Sequence, residues 1–454
     1  MSRTVKKNAL KIIHRLRESG FKAYIVGGAV RDMVMGREPE DYDIATDASP
    51  EDIARLFKKI VPVGSQFGVS MVILSGKSYE VSQFRIDGEY EDSRRPARIE
   101  PADEFEDVCR RDFTINALLY DPVQDSIIDI VGGQDDIRKH IIRTVGDPRE
   151  RFAEDRLRML RAVRFAVRFD FDIDPETFKA LQHQAPHILD ISYERIGLEL
   201  SKMFTGNHPE RALCLLDETG LLEAIMPEVT AMKGVRQPVQ FHPEGDVFEH
   251  TLYMLELFGG GSLTLAFGIL LHDVGKPVTF TEKDRIRFNQ HDSIGAEIAS
   301  QILRRLRFSN EIIYRVRMLV KNHMRFVHAR NMKRSTMRRF MAMDGFDELL
   351  ELFRLDCLAS HKSLDIYEDV KERFEQEIKL STSAALPEPL LDGHNLILLG
   401  YEPGPLFSTM LRMVMDAQLE GTVSTRDEAV TLVMKNFPLK GVRKNQKRKS
   451  SQPD

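Results

Sequence analysis

Tryptophan is absent from this sequence of 454 residues, and cysteine occurs only three times. Cys109, Cys214 and Cys357 lie far apart and form no CxxC pair, which excludes a disulfide framework and a cysteine-rich zinc site. The N-terminus lacks the apolar run and cleavage site of a secretory signal peptide. The longest apolar run, Leu263–Leu271, is too short to span a bilayer. We therefore expect a protein of the reducing cytoplasm without a membrane partner.

Neither sign of charge is in large excess, because 65 Lys and Arg face 70 Asp and Glu and leave a net charge of −5. This balance argues against a DNA-coating protein with a basic surface all over. It leaves room for a nucleic-acid enzyme whose basic groove is local. With 42% hydrophobic and 30% charged residues the composition is that of a globular protein, and its length favours about three domains.

The pattern of apolar residues changes near residue 146. Before it, short strand signals alternate with helices; after it, strand signals vanish and helical periodicity runs almost to the end. We therefore predict an α+β protein. The predicted parts are a head domain with a small sheet (1–145), a helical neck and body (146–237), a helical domain (238–365), a helical tail region (366–439) and a basic disordered tail (440–454).

Two glycines separate a predicted strand from a predicted helix in YIVGGAVRD, residues 24–32. Gly27 and Gly28 allow a phosphate to approach the backbone closely, and the helix N-terminus offers free N–H groups. Arg31 can add a fixed positive fork. Such a turn is most often only a turn, so by itself this motif is weak.

A pair of carboxylates follows on the next predicted strand, residues 41–46. Asp41 and Asp43 are two positions apart, so both side chains point to one face of the strand. Adjacent carboxylates repel each other unless a cation lies between them. A divalent metal there can activate a hydroxyl and stabilise a leaving pyrophosphate. The alternative is a solvated strand edge, but the neighbouring glycine motif favours the metal site.

Together these motifs resemble the polymerase-beta-type nucleotidyltransferases, specifically the bacterial-type (class II) tRNA nucleotidyltransferase and poly(A) polymerase family. The resemblance implies a polymerase-beta-like head with a small mixed sheet, then a helical neck and body. It implies Mg²⁺ at Asp41 and Asp43, with CTP and ATP as donors. The implied acceptor is the tRNA 3′ end or another RNA, and not DNA. Glu80, on a later strand, is a candidate third acidic group.

Two further segments carry the same resemblance. CRRDFTINALLYDP, residues 109–122, is similar to the family's ribose-recognition motif; the alternative is a helix start with Asp112 as its cap. RFAEDRLRMLRAVRF, residues 151–165, resembles the family's EDxxR motif, whose side chains select the base without a nucleic-acid template. The alternative there is an amphipathic helix with an i, i+3 ion pair. The implied nucleotide-binding residues are Gly27, Gly28, Arg31, Arg111, Asp112, Asn116, Asp155, Arg158, Arg161 and Arg164.

The residues after this motif and the charged segment 85–98 also fit the family. The segment 191–200 resembles the family's next helix, in which we expect Glu194 and Arg195 to brace the neck. The segment 85–98 matches a flexible loop beside the active site.

Residues 241–360 contain a separate set of histidines and aspartates. Their order, H…HD…D, resembles that of the HD phosphohydrolase superfamily. Imidazoles and carboxylates from several helices can converge on one divalent metal, whose identity the pattern does not give. Lys276 could lie near a phosphate. The implied ligands are His250, His272, Asp273 and Asp356, with His291 and His323 matching members that bind a second metal.

Less specific segments bear on which reaction the chain performs. VGSQFGVSMV, residues 63–72, lacks the basic pair usual in bacterial poly(A) polymerases and the His-Gly-Thr of many CCA-adding enzymes. Residues 393–411 resemble the tail region of tRNA nucleotidyltransferases. The leading hypothesis is addition or repair of the 3′-terminal CCA of tRNA. Poly(A) synthesis and CC-only or A-only addition are alternatives. An HD phosphohydrolase whose head only recognises its substrate is the alternative of another class.

Overall fold

The computed structural model describes residues 2–61, 68–87, 99–238, 245–380 and 386–439. The chain forms two compact units, Met1–Lys321 and Asn322–Asp454. Part of the segment 63–72, most of the expected flexible loop 85–98 and the whole basic tail 440–454 lie outside the described residues. None of the described helices is both long and apolar enough to cross a membrane. The domain boundaries given above stay predictions.

The described strands lie in the first unit. They are β1 Ala23–Val26, β2 Asp43–Thr46, β3 Ile60–Val61, β4 Val69–Leu74, β5 Lys77–Gln83, β6 Arg85–Asp87, β7 Ile99–Pro101, β8 Leu118–Asp121, β9 Ser126–Asp129, β10 Ile141–Ile142, β11 Asp172–Ile173, β12 Phe280–Glu282 and β13 Ile286–Phe288.

Helices make up most of the remaining described chain. The first seventeen are α1 Ser2–Glu18, α2 Gly28–Val34, α3 Pro50–Leu56, α4 Glu104–Cys109, α5 Gly133–Lys139, α6 Pro148–Glu154, α7 Leu157–Phe169, α8 Pro175–Gln184, α9 Tyr193–Phe204, α10 Pro209–Glu218, α11 Leu221–Ile225, α12 Pro227–Thr230, α13 Val247–Phe258, α14 Leu263–Leu271, α15 Lys276–Thr279, α16 His291–Arg305 and α17 Asn310–Asn322. The second unit then has α18 Arg334–Met341, α19 Phe346–His361, α20 Asp365–Leu380, α21 Gly393–Leu398, α22 Leu406–Glu420 and α23 Arg426–Asn436.

A mixed sheet forms the centre of the head, as predicted. Its strand order is β3-β4-β5-β2-β1-β8-β9, and β2 runs parallel to β5 while the other neighbours are antiparallel. All four residues of β1 are buried. In the pairing of β1 with β2, Val26 lies opposite Asp43. The end of β1, where the glycine turn begins, therefore meets the start of β2.

Local chemistry explains several element boundaries. The apolar stripe of α1 is buried, as its spacing predicts. At the start of α3, Ser49 accepts a hydrogen bond from the Asp52 N–H (3.2 Å), and Asp52 accepts one from the Ser49 N–H (3.3 Å). Pro50 occupies the first turn. The sequence Ser49-Pro50-Glu51-Asp52 predicts a helix start at this position, and the reciprocal cap confirms it.

The i, i+3 spacing of Asp155 and Arg158 predicts one helix over residues 151–165 with both side chains on the same face. This prediction is wrong, because the chain forms α6 and α7 with a break at Asp155. Asp155 has φ −136° and ψ 104°, outside the helical region. Its carboxylate accepts a hydrogen bond from the Leu157 N–H (3.0 Å). Aspartate side chains compete with helical backbone hydrogen bonds in this way, so one helix ends and the next begins.

The expectation that strands vanish after residue 146 is also wrong. β11 pairs in parallel with β10, and β12 and β13 form an antiparallel hairpin in which Phe280 lies opposite Phe288. These strands have two or three residues each. A strand of that length is too short to display a period of two, so alternation could not reveal it.

Candidate active sites

The glycine turn needs glycine for both conformation and space. Gly27 has φ +68°, a conformation that residues with a Cβ rarely adopt. Its N–H donates to the Leu118 carbonyl of β8 (3.2 Å). A Cβ at Gly27 would lie 3.3 Å from Nη1 of Arg111. The turn therefore brings the expected phosphate loop against an arginine from the expected ribose motif.

Three carboxylates lie at the adjoining end of the sheet. Asp41 and Asp43 are exposed while Tyr42 between them is buried. The strand predicted over residues 41–46 begins only at Asp43, but the charge of Asp41 still acts on Asp43. In the parallel pairing Ile44 lies opposite Val81, which brings Glu80 of β5 beside Asp43. Glu80, a candidate from the sequence, is thus a neighbour of the acidic pair.

The surroundings raise the pKa of Asp43 to about 6. The first cause is desolvation, since protein atoms surround the carboxylate although part of it touches solvent. Glu80 and Asp41 raise the pKa further, and Arg111 opposes them. A carboxylate with a raised pKa among other carboxylates is a suitable ligand for a divalent cation, which relieves the repulsion.

A row of hydrogen bonds joins the phosphate loop to α7. Arg31 is buried and donates from Nη1 to Oδ1 of Asn116 (2.6 Å) and from Nε to Asp32 (2.9 Å). Asn116 donates from Nδ2 to Asp112 (3.4 Å). Asp112 also accepts from Nε of Arg161 (2.8 Å), 49 residues further along the chain. The three expected nucleotide-binding motifs are therefore parts of one network.

Two members of this row, Arg31 and Asp112, have perturbed pKa values. Burial lowers the pKa of Arg31, although Asp32 beside it opposes the shift. Burial alone would raise the pKa of Asp112, but Arg161 outweighs it and the net shift is downward. Asp112 is therefore an ionised carboxylate held by Asn116 and Arg161.

The alternative that Asp112 caps a helix is wrong. The residues after it form a short 3₁₀ turn, Thr114–Asn116, and then strand β8. Ile115, Leu118 and Leu119 are buried as expected. They are core residues of a sheet rather than of a helix, because β8 pairs with β1.

Asp107 is a supporting residue that the sequence reasoning missed. It is fully buried and accepts hydrogen bonds from Arg110 (2.6 Å) and from Nη2 of Arg111 (2.9 Å). Burial would raise the pKa of Asp107, but the two arginines lower it overall. An acid three and four residues before two arginines is the sequence signal that could have revealed this contact.

Asp155 and Arg158, two of the residues expected to select the base, have different hydrogen-bond partners. Asp155 accepts hydrogen bonds from Nη2 of Arg195 at 3.1 and 3.3 Å. Arg158 donates to Glu154 (2.6 Å) and to the carbonyl of Arg110 (3.1 Å). The expected Asp155–Arg158 face on one helix is wrong, because Asp155 ends α6. The contact of Arg195 with Asp155 fits the bracing role expected for that segment.

Two further arginines of α7 hold it between its neighbours. Arg161 reaches Asp112 of the head, and Arg164 donates to Glu199 of α9 (2.5 Å). Glu199 is buried, and the sequence did not indicate it as a partner. The roles of these residues in nucleotide selection stay predictions.

A second cluster lies between α13 and α15. His250, His272 and Asp273 are all buried, and one potential ligand atom of each lies within 4.8 Å of the others. Nδ1 of His272 is 2.8 Å from the Ile269 carbonyl, which can only accept a hydrogen bond, so Nδ1 donates. Nε2 then points to Asp273 at 3.1 Å. An imidazole oriented by a carbonyl in this way is typical of metal ligands.

Two more residues of this unit surround Asp273. His291 approaches it with Nε2 at 3.5 Å and donates from Nδ1 to the Phe288 carbonyl at 2.8 Å. Lys276 lies 2.6 Å from the Asp273 carboxylate and donates to Gln237 at 2.5 Å. Burial would raise the pKa of Asp273, but His272 and Lys276 outweigh it and the pKa lies well below its usual range.

Asp356 and His323 belong to the second unit. Asp356 lies on α19 and accepts a hydrogen bond from Ser360 (3.1 Å), while His323 is buried at the start of a 3₁₀ helix, His323–Asn331. That they complete the histidine–aspartate cluster stays a prediction.

Replacing Gly275 by Ala should disrupt this cluster selectively. A Cβ at Gly275 would lie 2.2 Å from the His291 carbonyl oxygen and 2.7 Å from the Gly295 nitrogen, and both are backbone atoms. We expect a loss of about 1–3 kcal/mol in the free energy of unfolding, as is usual for overpacking. Thermal unfolding would measure it. Gly404→Ala is the control, since nothing lies within 4 Å of its Cβ position; equal effects of the two changes would contradict the prediction.

Three family models match successive parts of the chain. A poly A polymerase head domain matches residues 23–143, a probable RNA and SrmB-binding site of polymerase A matches residues 170–233, and an HD domain matches residues 247–352. The resemblances found in the sequence motifs are thereby confirmed, and so is their order along the chain.

Relatives and solved structures agree with these matches. The CCA-adding enzyme of Geobacillus stearothermophilus is 48% identical over 216 residues, 47% of this chain and 53% of that protein. The CCA-adding enzyme of Bacillus licheniformis is 42% identical over 259 residues, 55% of this chain and 64% of that protein. The chain thus spans about half the length of the curated relatives it matches.

The fold is similar to that of solved CCA-adding enzymes over nearly the whole chain. The structure from Bacillus stearothermophilus in complex with CTP has a TM-score of 0.72 at 28% identity, covering 95% of this chain and 97% of the other. The enzyme of Thermotoga maritima complexed with tRNA has a TM-score of 0.59 at 20% identity, covering 95% of each chain, a likeness of fold alone.

Proposed function

Because the chain carries a poly A polymerase head domain, a polymerase RNA-binding region and an HD domain, we propose that it is a template-independent nucleotidyltransferase. Its proposed reaction adds or repairs the 3′-terminal CCA of tRNA in the cytoplasm. The row of hydrogen bonds from Arg31 through Asn116 and Asp112 to Arg161 carries the proposal. It joins a phosphate loop to the expected base-reading helix beside a set of carboxylates.

The head residues supply the groups that nucleotidyl transfer needs. Asp41 and Asp43, with Glu80 beside them, fit a Mg²⁺ ion, which when bound lowers the pKa of an attacking hydroxyl and neutralises the leaving pyrophosphate. The glycine turn at Gly27 and Gly28, with the N–H of Gly28 at the start of α2, and the charges of Arg31 and Arg111 bind the triphosphate. The RNA 3′-hydroxyl attacks the α-phosphate of CTP or ATP, and pyrophosphate leaves.

The ribose and the base are bound by the network and by the residues around the α6–α7 break. Asp112 and Asn116 bind the ribose, and Asp155, Arg158, Arg161 and Arg164 select the base. Arg195 holds the Asp155 carboxylate at 3.1 Å, which fixes its acceptor atoms in one direction. A carboxylate fixed in this way can accept a hydrogen bond from the exocyclic amine of cytosine or adenine and reject bases that lack this donor.

Sequencing of reaction products tests the proposal. The protein is incubated with tRNA lacking its CCA end and with each nucleoside triphosphate, alone and combined, and the RNA ends are sequenced. Two cytidines, one adenosine and then a stop support CCA addition. Long adenosine tails indicate poly(A) synthesis. Addition that stops after CC, or that adds only a single A, indicates a CC-only or an A-only adding enzyme. No added nucleotide with intact protein contradicts the proposed transfer.

A second candidate activity is metal-dependent phosphoester hydrolysis at the histidine–aspartate cluster. The convergence of His250, His272 and Asp273 within 4.8 Å favours it. Three buried ligands of these types fit a divalent transition metal whose identity they do not fix, and such a metal supplies an activated water when bound. If the chain were only such a hydrolase, Asp41→Ala would leave its activity intact and His272→Ala would abolish it.

Removal of His272 should show whether the histidine–aspartate cluster and the head site function independently. We expect His272→Ala to lose the divalent metal of this cluster, because the remaining ligands bind it too weakly, while CMP transfer by the head is unchanged. Elemental analysis after dialysis measures the metal. His183→Ala, an exposed histidine of α8, is the matched control. Unchanged metal content in His272→Ala would contradict the assignment of the site.

A further inference from the structure

Arginines surround two stacked phenylalanine rings on α7. The rings of Phe165 and Phe169 lie 5.9 Å apart at 10° to one another. The guanidinium of Arg31 lies 4.4 Å from the centre of Phe169, and that of Arg164 lies 4.2 Å from the centre of Phe165. Both arginines also have carboxylate partners, Asp32 and Glu199. These contacts are accounted for by the network already described.

Two more arginines at Phe169 differ from these. The guanidiniums of Arg37 and Arg168 lie 5.9 and 5.3 Å from the centre of the Phe169 ring. Both side chains are exposed, and within the described part of the chain neither forms an ion pair with a carboxylate. With Arg31, three positive charges therefore lie within 6 Å of one ring. After burial, the charge of Arg168 is a further cause that lowers the pKa of Arg31, because like charges repel each other.

This arginine pair lies close to the reacting groups. The Arg37 N–H donates to the Asp32 carbonyl (2.8 Å), and Asp41 follows four residues later. Arg31 contacts both sides, since its Nη2 lies 3.4 Å from the Cβ position at Gly28 and its guanidinium lies on Phe169. Only the side chain of Arg31 therefore lies between this arginine pair and the glycine turn proposed to bind the triphosphate. Arg168 also precedes the matched RNA-binding region, which begins at residue 170.

We propose that Arg37 and Arg168 bind phosphates of the RNA acceptor strand next to its 3′ end. The inference rests on the proposed function, because it assigns these side chains to the acceptor of that reaction. The triphosphate already has Arg31, Arg111 and the glycine turn, whereas the acceptor backbone needs its own counter-charge. A chain with a net charge of −5 attracts RNA only where positive charge is concentrated.

Equilibrium binding of a fluorescent tRNA that lacks its CCA end tests the site without any chemistry. For Arg37→Gln/Arg168→Gln we expect the dissociation constant to rise about tenfold, and the slope of its logarithm against that of salt concentration to fall by about 1 to 2. The KM for CTP stays unchanged. Arg55→Gln/Arg138→Gln is the matched control, because those head arginines are 78% and 71% exposed and bind nearby acids.

The readouts separate this proposal from its competitors. An unchanged dissociation constant and salt slope would overturn it, and so would a raised KM for CTP with unchanged RNA affinity, which would assign the pair to the triphosphate. Arg37→Lys/Arg168→Lys keeps the charges and should retain most of the affinity; a loss equal to that of the Gln variant would instead indicate a structural role at Phe169. Wild-type protein that binds RNA through this pair but adds no nucleotide would contradict the proposed function alone.

Discussion

Asp43→Asn is expected to reduce nucleotide transfer by about a thousandfold or more, since several kcal/mol of transition-state stabilisation depend on the metal that this carboxylate would hold. The amide has nearly the same shape but carries no negative charge and binds Mg²⁺ poorly. Rates of CMP incorporation into tRNA under single-turnover conditions measure the effect. A transfer rate within tenfold of that of the wild type would contradict the assignment of Asp43 as a metal ligand.

Asp43→Asn should lower the transfer rate but raise the stability of the metal-free protein. The second effect is the control, because it shows that the variant still folds. The pKa of Asp43 is raised to about 6 in the folded chain from its ordinary 3.8, so the folded state binds the proton more tightly than the unfolded state. Without metal, this residue's contribution to stability therefore declines as pH rises from about 4 to about 6. In EDTA, the melting temperature of Asp43→Asn should exceed that of the wild type at pH 8 and should equal it near pH 4. Excess Mg²⁺ should reduce or reverse the difference at pH 8.

Asp155→Ala should relax the choice of nucleotide more than it slows the reaction. A fixed carboxylate that accepts from an exocyclic amine contributes about 1–3 kcal/mol of discrimination against a base without that donor. We expect the preference for CTP over UTP, measured as the ratio of kcat/KM values, to fall by about ten- to a hundredfold, the range that this energy spans. Single-nucleotide incorporation assays with each triphosphate give this ratio.

Variants of two neighbouring residues show whether Asp155 acts directly. Arg195→Gln removes the side chain that orients Asp155 and should produce part of the same relaxation. Glu194→Gln changes an exposed acid on the same turn and should have no effect. An unchanged preference in Asp155→Ala, or equal losses in all three variants, would contradict the assignment.

Features set by a few adjacent residues could be predicted from the sequence. The reciprocal cap of α3 depends on Ser49 and Asp52 alone. The exposure of Asp41 and Asp43 on either side of buried Tyr42 agrees with the predicted alternation, although β2 begins only at Asp43. The motif order and the mixed sheet were predicted through the resemblance that the short motifs carry. Such features depend on short-range rules that act within one turn or one strand.

Features set by distant partners could not be predicted. Arg161 and Asp112 are 49 residues apart, and Arg164 and Glu199 are 35 apart, so neither pair has a local signature. The break at Asp155 depends on one side-chain acceptor and on the partner Arg195, 40 residues away. Sequence identified the charged residues of the site, whereas the choice of partners required the tertiary fold.

The bond between Arg161 and Asp112 also limits how this chain could be cut or recombined. The matched head domain ends at residue 143 and the matched RNA-binding region begins at residue 170, so Arg161 belongs to neither. A fragment that ends at the head boundary would leave Asp112 buried without its guanidinium. A chimaera that joins this head to the neck of another protein would have the same unpaired Asp112, unless Arg161 is transferred together with it. The smallest transferable catalytic module therefore extends from the head through the end of α7.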